Sequence, residues 1–224
     1  MTAASRPVDE GSRLRCLQSC AVLDTPPEEA FDALTSLAAY VADAAIARVT
    51  FFDAERAWAK SWIGCDAEEE PRRHSLCRHV LESGESLFVA DASADVRLAD
   101  HPSVRAGPHV RLFGSLPLTM PDGFVVGTLS VADARAGEVT PRQRRLLERV
   151  ADRVVDQLEL RRTRLRLRAS RGDLAAADAR THDAVDAAVA AERRTGATRL
   201  DESEARSRAV VENASEVETR DSVL

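Results

Sequence analysis

The residues best suited to chemistry in this chain are its cysteines and histidines, four and five in number. Cys77 stands in the run Ser75-Leu76-Cys77-Arg78-His79, which the pattern places at the start of a helix. A helix dipole lowers the pKa of a thiol at such a position, so a reactive or ligand-binding thiol is one interpretation. The other is a small buried residue that faces a sheet, and the general burial preference of cysteine favours it.

The same kinds of side chain bind zinc and haem iron, since imidazole and thiolate are good ligands for both. The candidates are His74, Cys77, His79, His101 and His109. No HxxxH or CxxC pair fixes two ligands on one face of an element, and Cys16 and Cys20 have no histidine nearby to complete a site. We therefore expect no haem or metal and interpret the histidines as solvated loop residues.

Composition limits the partners and the compartment. A net charge of −6 opposes binding to nucleic acid. No segment approaches the ~20 consecutive apolar residues that a membrane span requires, and no basic region followed by an apolar run indicates a signal peptide. Cysteines without a disulfide framework are typical of free thiols in a reducing compartment. The sequence thus predicts a cytoplasmic protein without nucleic-acid or membrane partners.

Hydrophobic periodicity predicts an α/β (α+β) fold, in which helices flank an antiparallel sheet of about six strands. Helices are expected over residues 12–20, 27–43 and 75–83, with a long last helix from Thr140. Strands are expected over residues 46–52, 58–63, 86–90, 110–118 and 124–131. Asp24 or Thr25 is the expected N-cap of the second helix and Ser75 that of the third. The loop over residues 91–109 is long for a compact domain, which is typical of a functional loop.

The last helix has an apolar stripe that extends beyond the sheet it first covers. Its members are Leu147, Val150, Val154, Leu158 and Leu165. An exposed apolar stripe usually finds a partner, so the pattern predicts a homodimer through the first and last helices. The arginines between residues 161 and 171 are interpreted as a solvated stretch of this helix.

The ends of the chain are expected to differ from its centre. Residues 1–11 are polar and are expected to be flexible. Residues 161–192 are expected to form a helical extension, and residues 193–224 a disordered tail, because the tail has too little apolar surface to offset its ordering entropy.

Four segments, in this order, resemble the GAF family over roughly residues 12–160. They are the run LDTPPEEAFD from Leu23 to Asp32, the Ser75–His79 run, the Val89–Arg97 run, and Pro121-Asp122-Gly123 followed by Val126–Asp133. The resemblance implies a sensor that binds a small molecule or a partner and passes a conformational change to its C-terminal helix. It leaves the ligand and any cofactor unknown. Phytochrome-like members have a Cys-His dipeptide on a later helix, whereas Cys77 is followed by Arg78, so no covalent bilin is expected.

The resemblance also implies a pocket between the sheet and the long loop. By rough alignment, its lining residues would be Trp62, Cys77, His79, Asp91, Arg97, Arg111, Phe113, Ser115 and Asp133. Arg97 and Arg111 are candidates for clamping an anionic group, because guanidinium binds carboxylate and phosphate in a bidentate manner. The structural alternative is that Asp91 and Arg97 pair with each other and hold the loop.

The function expected from the sequence is a non-catalytic sensory or regulatory module of bacterial signal transduction. It would act through its C-terminal helix and a dimer or signalling partner. Two alternatives stay open. One is a cysteine-dependent redox enzyme resembling free methionine sulfoxide reductase, with Cys65 and Cys77 as the pair. The other is a ligand-free dimerisation scaffold.

Overall fold

The structure is a computed structural model that describes residues 9–65 and 69–221, with the backbone alone for residues 195–203 and 208–221. The chain divides into two compact units, residues 1–166 and 167–224. The first unit contains the sheet and the helices that cover it. The second contains the end of the last helix. The predicted tail over residues 193–224 stays a prediction.

Within the described residues, six strands form one antiparallel sheet. They are β1 (Ile46–Phe52), β2 (Arg56–Ile63), β3 (Glu69–Pro71), β4 (Leu87–Val89), β5 (Leu112–Thr119) and β6 (Val125–Asp133). Their spatial order is β3-β2-β1-β6-β5-β4. Gly123 lies in the turn between β5 and β6 with a φ of 84°, a left-handed conformation that glycine adopts without strain. The sheet and its flanking helices confirm the predicted fold class.

The helices are α1 (Glu10–Cys20), α2 (Glu29–Ala42), α3 (Arg78–Ser83), α4 (Pro102–Arg105) and α5 (Pro141–Asp221). The predicted start of α5 is confirmed by a capping box. The Gln143 amide donates to Thr140 Oγ1 (3.3 Å), and the Thr140 amide donates to Gln143 Oε1 (2.9 Å). Helix α4 forms a single turn inside the long loop.

Both faces of the sheet are covered. On one face α1, α2 and α5 bury an apolar cluster that includes Leu17, Phe31, Phe51 and Leu158. On the other face α3, α4 and the long loop bury a second cluster that includes Phe52, Val80, Cys77, Val104 and Phe113. The central strands β1, β5 and β6 are therefore buried on both sides along most of their length, and a polar residue near the middle of either face is removed from bulk water.

The predicted N-caps of α2 and α3 are wrong. Helix α2 begins at Glu29 and has no side-chain cap, because the proposed caps have other partners. Asp24 pairs with Arg56 at 2.7 Å, and Thr25 Oγ1 accepts a hydrogen bond from Lys60 Nζ at 2.7 Å. Helix α3 begins three residues after Ser75, whose hydroxyl accepts from the Cys77 amide in the preceding turn.

Four of the five residues of the stripe on which the dimer prediction rested are buried within their own domain. Leu147, Val150, Val154 and Leu158 are at most 4% exposed, because α5 packs them against the sheet and α1, whereas Leu165 is half-buried. The premise of an exposed stripe is therefore wrong for these four residues. A different set of leucines on α5 is exposed, as described below.

Candidate functional site

A row of polar side chains crosses the sheet on the face beneath α3 and the long loop. The row follows directly paired residues from β5 to β6, β1 and β2: Ser115 opposite Ser130, Ser130 opposite Arg48, and Arg48 opposite Trp62. Directly paired residues project from the same face of a sheet. These four side chains therefore lie side by side.

A neighbouring row adds Thr128 and Thr50, which pair directly between β6 and β1. We call the six residues Arg48, Thr50, Trp62, Ser115, Thr128 and Ser130 the polar patch. The patch is buried beneath the second core: Ser115 and Thr128 are 0% exposed. Among the described residues, neither of these two hydroxyls has a hydrogen-bond partner. A buried hydroxyl without a partner is costly, and in native proteins such groups are few.

The patch contains the charge of Arg48 and adjoins the opposite charge of Glu70. Arg48 forms an ion pair with Glu70 of β3 at 3.6 Å, and both side chains are largely buried. The patch therefore offers a guanidinium, a carboxylate, several hydroxyls and an indole ring on one surface. Such a set can bind and orient a small polar molecule through hydrogen bonds and ring stacking.

The structure brings four of the nine predicted site residues to this face. Trp62 and Ser115 belong to the polar patch, and Phe113 lies two residues before Ser115 on β5, on the same face. Cys77 belongs to the apolar cluster that covers the face and is 6% exposed. A ligand role for each of them stays a prediction.

Two further predicted residues, His79 and Arg97, lie together in a separate cleft. This cleft has a volume of about 240 Å³ and lies between residues 73–79 and the loop over residues 97–102. Arg97 donates to both carboxylate oxygens of Asp95, at 2.9 and 2.6 Å, which holds the pKa of Asp95 below its usual value. The expected alternative partner of Arg97, Asp91, is not its partner.

Asp91 and Arg111 instead hold the long loop. Arg111 Nη1 donates to the carbonyl oxygens of Val104 (3.1 Å) and Val110 (3.0 Å), and its Nε lies 3.9 Å from Asp91 Oδ1. Asp91 also accepts from the amide and hydroxyl of Ser93. These contacts order the loop at both ends, and a ligand role for Asp91 and Arg111 stays a prediction.

The last predicted residue, Asp133, fastens the end of β6 to the start of β1. It is 4% exposed and accepts from the Ala45 amide (2.9 Å), the Arg135 amide (2.8 Å) and the Arg135 side chain. Arg135 first, and then the two amides, lower the pKa of Asp133 to about 2. Its carboxylate thus connects the ends of the two central strands, and a ligand role for Asp133 stays a prediction.

Sequence reasoning missed Arg48, Thr50, Thr128 and Ser130. Each alternates with apolar residues along β1 or β6. Such alternation normally indicates a strand with one solvated face. The available signal was that two strands have the same polar alternation. Both pair at the centre of a sheet whose other face is covered by helices, which indicates polar residues on a buried face.

A larger open groove, of about 1260 Å³, runs between α1 and the β2–β3 edge. The charges at its β2–β3 end already have partners. Arg56 pairs with Asp24, Asp53 and Glu69, each at 2.7 Å. Ion pairing explains these residues without a ligand.

Arg161 anchors α5 to the segment that precedes α2. Its Nε donates to the carbonyl oxygens of Cys20 (3.0 Å) and Ala21 (3.1 Å), and its Nη1 pairs with Glu28 at 2.7 Å. Glu28 also pairs, at 2.7 Å, with Lys60 of β2, whose side chain is completely buried. Lys60, Glu28 and Arg161 therefore connect the sheet to α5, and we call them the anchor.

Arg162 adds a second attachment next to the anchor. Its buried guanidinium pairs with Asp122 in the β5–β6 turn at 2.5 Å and with Glu159 at 3.0 Å. The expectation that residues 161–171 are solvated is thus wrong for Arg161 and Arg162, because both turn inward to acidic partners.

Within residues 9–65 and 69–221, no group of three or more His, Cys, Asp or Glu side chains could hold a metal ion. In the same part of the chain, no helix is long and apolar enough to cross a membrane.

The chain belongs to the GAF domain family, whose model matches residues 18–158. It is 30% identical over 165 residues to a cyclic di-GMP phosphodiesterase of Pseudomonas aeruginosa. That match covers 73% of this chain and 28% of the relative, so the chain spans about a quarter of the relative's length.

Two solved structures share the fold. One is the GAF domain of an Acinetobacter phosphoenolpyruvate-protein phosphotransferase, with a TM-score of 0.51 and 14% identity over 69% of this chain and 95% of that one. The other is the free methionine-R-sulfoxide reductase of Neisseria meningitidis in complex with its substrate, with a TM-score of 0.50 and 14% identity over 73% of this chain and 98% of that one. At this identity the likeness shows the fold alone.

Proposed function

We propose that the chain is a non-catalytic sensory module of bacterial signal transduction that binds a small polar ligand on the polar patch. The observation behind this proposal is the pair of buried hydroxyls, Ser115 and Thr128, that lack partners among the described residues. A folded protein retains such groups at a stability cost when they serve binding. The similarity to part of a cyclic di-GMP phosphodiesterase supports a signalling setting.

The chemistry of the patch defines the class of ligand. Arg48 and Glu70 provide charges of both signs, and the hydroxyls provide donors and acceptors. A ligand with an anionic group, a hydrogen-bonding body and a flat face for Trp62 would satisfy the patch. This description fits a small metabolite better than a protein segment, because α3 and the long loop cover the patch.

In this proposal, ligand binding at the polar patch affects α5 through strand β2. The register of β1 and β2 shifts at Thr50, so that Thr50 faces Ala59 while Val49 faces Ser61, and Lys60 is the extra residue. Lys60 lies on the side of Glu28, and the bulge turns Trp62 to the polar patch on the other face. A ligand that displaces Trp62 would therefore act on Lys60 two residues away, and through Glu28 on Arg161 of α5.

Native mass spectrometry of protein purified from its own host tests the ligand proposal. We expect a small molecule to remain bound to the wild-type protein and to be absent from Thr128→Val. The matched control is Thr35→Val, since Thr35 is equally buried but its hydroxyl donates to the Phe31 carbonyl on the opposite face. Retention of the same mass by Thr128→Val would refute the site, and no bound mass in the wild type would favour the ligand-free scaffold.

The output of the module is proposed to involve a homodimer through α1 and α5, with a signalling partner as a further possibility. In the second unit Leu167 and Leu174 are 52% and 65% exposed and lie seven residues apart. Leu160 and Leu146 of the first unit are exposed and precede Leu167 by one and three such intervals. A seven-residue repeat of leucine is typical of a coiled coil.

Sedimentation at tens of micromolar, a range in which weak interfaces are still occupied, should therefore show a dimer. The double change Leu167→Asp with Leu174→Asp should give a monomer. Val96→Asp serves as the control, because Val96 is 94% exposed in the long loop. A wild-type monomer at this concentration would contradict the proposal.

A cysteine-dependent redox enzyme is the alternative function, and the position of Cys77 above the polar patch favours it. The burial of Cys77 opposes it, while Cys65 is partly exposed. Reduction of free methionine sulfoxide by the wild type, lost in both Cys65→Ser and Cys77→Ser, would establish this alternative. Equal absence of activity in all three proteins would remove it.

A further inference from the structure

We propose that the cleft between residues 73–79 and 97–102 is a second binding site, for a small oxyanion such as a phosphate monoester or a carboxylate. The volume of about 240 Å³ accommodates a small metabolite. This site does not depend on the polar patch.

The two walls of the cleft are held together by His101. Its Nε2 donates to the carbonyl oxygen of His74 at 2.5 Å, and its Nδ1 accepts from the Ser103 amide at 3.1 Å. Both ring nitrogens are thus used, which fixes the tautomer and the ring orientation. The cleft is therefore a formed site with one wall tied to the other.

The charge of the cleft is positive. Arg73, Arg78 and Arg97 line it, and the single carboxylate on its wall is Asp100. Asp100 pairs with Arg105 at 3.3 Å. Within the described part of the chain, no ion pair joins Arg73 or Arg78 to a carboxylate. Arg73 and Arg78 therefore border both this cleft and the larger groove without an ion-pair partner among the described residues.

The donors are arranged for an oxyanion. Asp95 binds Nε and Nη2 of Arg97, which fixes that guanidinium and leaves Nη1 to donate elsewhere. Arg73 Nε donates to His74 Nε2 at 3.1 Å, so both terminal nitrogens of Arg73 remain available. Guanidinium groups held in this way bind carboxylate or phosphate oxygens in a bidentate manner. His79 adds an imidazole to the same wall.

Isothermal titration of the full chain at low ionic strength, with inorganic phosphate in one arm and succinate in the other, tests this inference. We expect saturable binding of at least one anion. Binding of phosphate alone would identify a phosphate-type ligand, and binding of succinate alone a carboxylate-type ligand. Absence of both at millimolar concentration would overturn the proposal.

Variants locate the binding. Arg73→Gln and Arg78→Gln should each lower the affinity at least fivefold, since a hydrogen bond to a charged group is worth more than tenfold in favourable cases. Arg149→Gln is the control, because Arg149 is 81% exposed on α5, outside the cleft. Equal loss in Arg149→Gln would mean non-specific attraction and would refute the site. Thr128→Val should bind the anion as the wild type does, which separates this site from the polar patch.

Discussion

Replacing Thr128 by valine should stabilise the ligand-free protein. Thr128 is 0% exposed and its hydroxyl has no partner among the described residues. Valine has nearly the same shape, so the change removes an unsatisfied group without leaving a cavity. Burial of such a group costs about 1–3 kcal/mol. We expect the free energy of unfolding to rise by at least about 1 kcal/mol, which corresponds to about 2–4 °C in Tm for a chain of this size.

Urea unfolding followed by tryptophan fluorescence is the appropriate assay. Both tryptophans, Trp58 and Trp62, lie in β2, so their emission reports on the sheet. With a slope of about 2 kcal/mol/M, a gain of about 1 kcal/mol raises the midpoint by about 0.5 M at unchanged slope. Protein must first be freed of ligand by unfolding and refolding, because bound ligand stabilises the wild type selectively.

Thr35→Val is the control for this measurement. Thr35 is also 0% exposed, but its hydroxyl donates to the Phe31 carbonyl at 3.0 Å. Loss of a satisfied hydrogen bond lowers stability by about 1 kcal/mol, so the two variants should shift in opposite directions. If Thr128→Val lowered stability as Thr35→Val does, the Thr128 hydroxyl would be satisfied in solution and the reasoning for the polar patch would fail.

Three further outcomes are expected. Glu28→Ala should lower the free energy of unfolding by about 2–3 kcal/mol, which is less than the roughly 3–5 kcal/mol of a fully buried pair because Glu28 is partly exposed. A loss below about 0.5 kcal/mol in urea would show that Lys60 needs no carboxylate. The pKa of Asp133 is lowered to about 2 in the folded protein, so its carboxylate stabilises the fold above pH 3.8, the usual pKa, and this stability is lost as the pH falls toward 2. Asp133→Asn should therefore be less stable at pH 7, and its Tm should decline less steeply between pH 4 and 2. An unchanged slope would contradict this assignment. Burial raises the pKa of Cys20 to about 11, so alkylation at pH 8 mapped by mass spectrometry should modify Cys65 well before Cys20, and equal rates would disprove the burial of Cys20.

The elements of the fold could be predicted because they depend on local periodicity. Residues 46–52 form β1 as expected, and Thr140 caps the last helix as expected. The caps of α2 and α3 could not be predicted, since they depend on tertiary partners. Thr25 is a residue type that favours the N-cap position. Its hydroxyl instead accepts a hydrogen bond from the buried ammonium of Lys60, which lies 35 residues later in β2. The N-cap preference of a residue type therefore predicts its role poorly where a buried charge nearby needs hydrogen-bond acceptors.

The candidate site could be predicted in part. Trp62, Phe113 and Ser115 lie on one face, as the family pattern implied. Thr128 and Ser130 were missed because alternation along a strand identifies a face but does not say whether that face is solvated. The burial of this face depends on α3 and the long loop, which contact it from distant positions in sequence.

The polar patch and the anchor lie on opposite faces of the sheet, and the bulge in β2 joins them. With strict alternation from Trp58, which faces the α2 side with Phe51, Trp62 would project to that same side. The extra residue Lys60 reverses this parity, so that Trp62 lies beside Arg48 while Lys60 stays on the side of Glu28. Removal of the bulge would therefore withdraw Trp62 from the patch while leaving Lys60 on the side of the anchor. Binding at the patch is thus connected to the anchor through the backbone between Trp62 and Lys60, whereas the cleft between residues 73–79 and 97–102 has no described contact with the bulge and should bind its anion whether or not α5 responds.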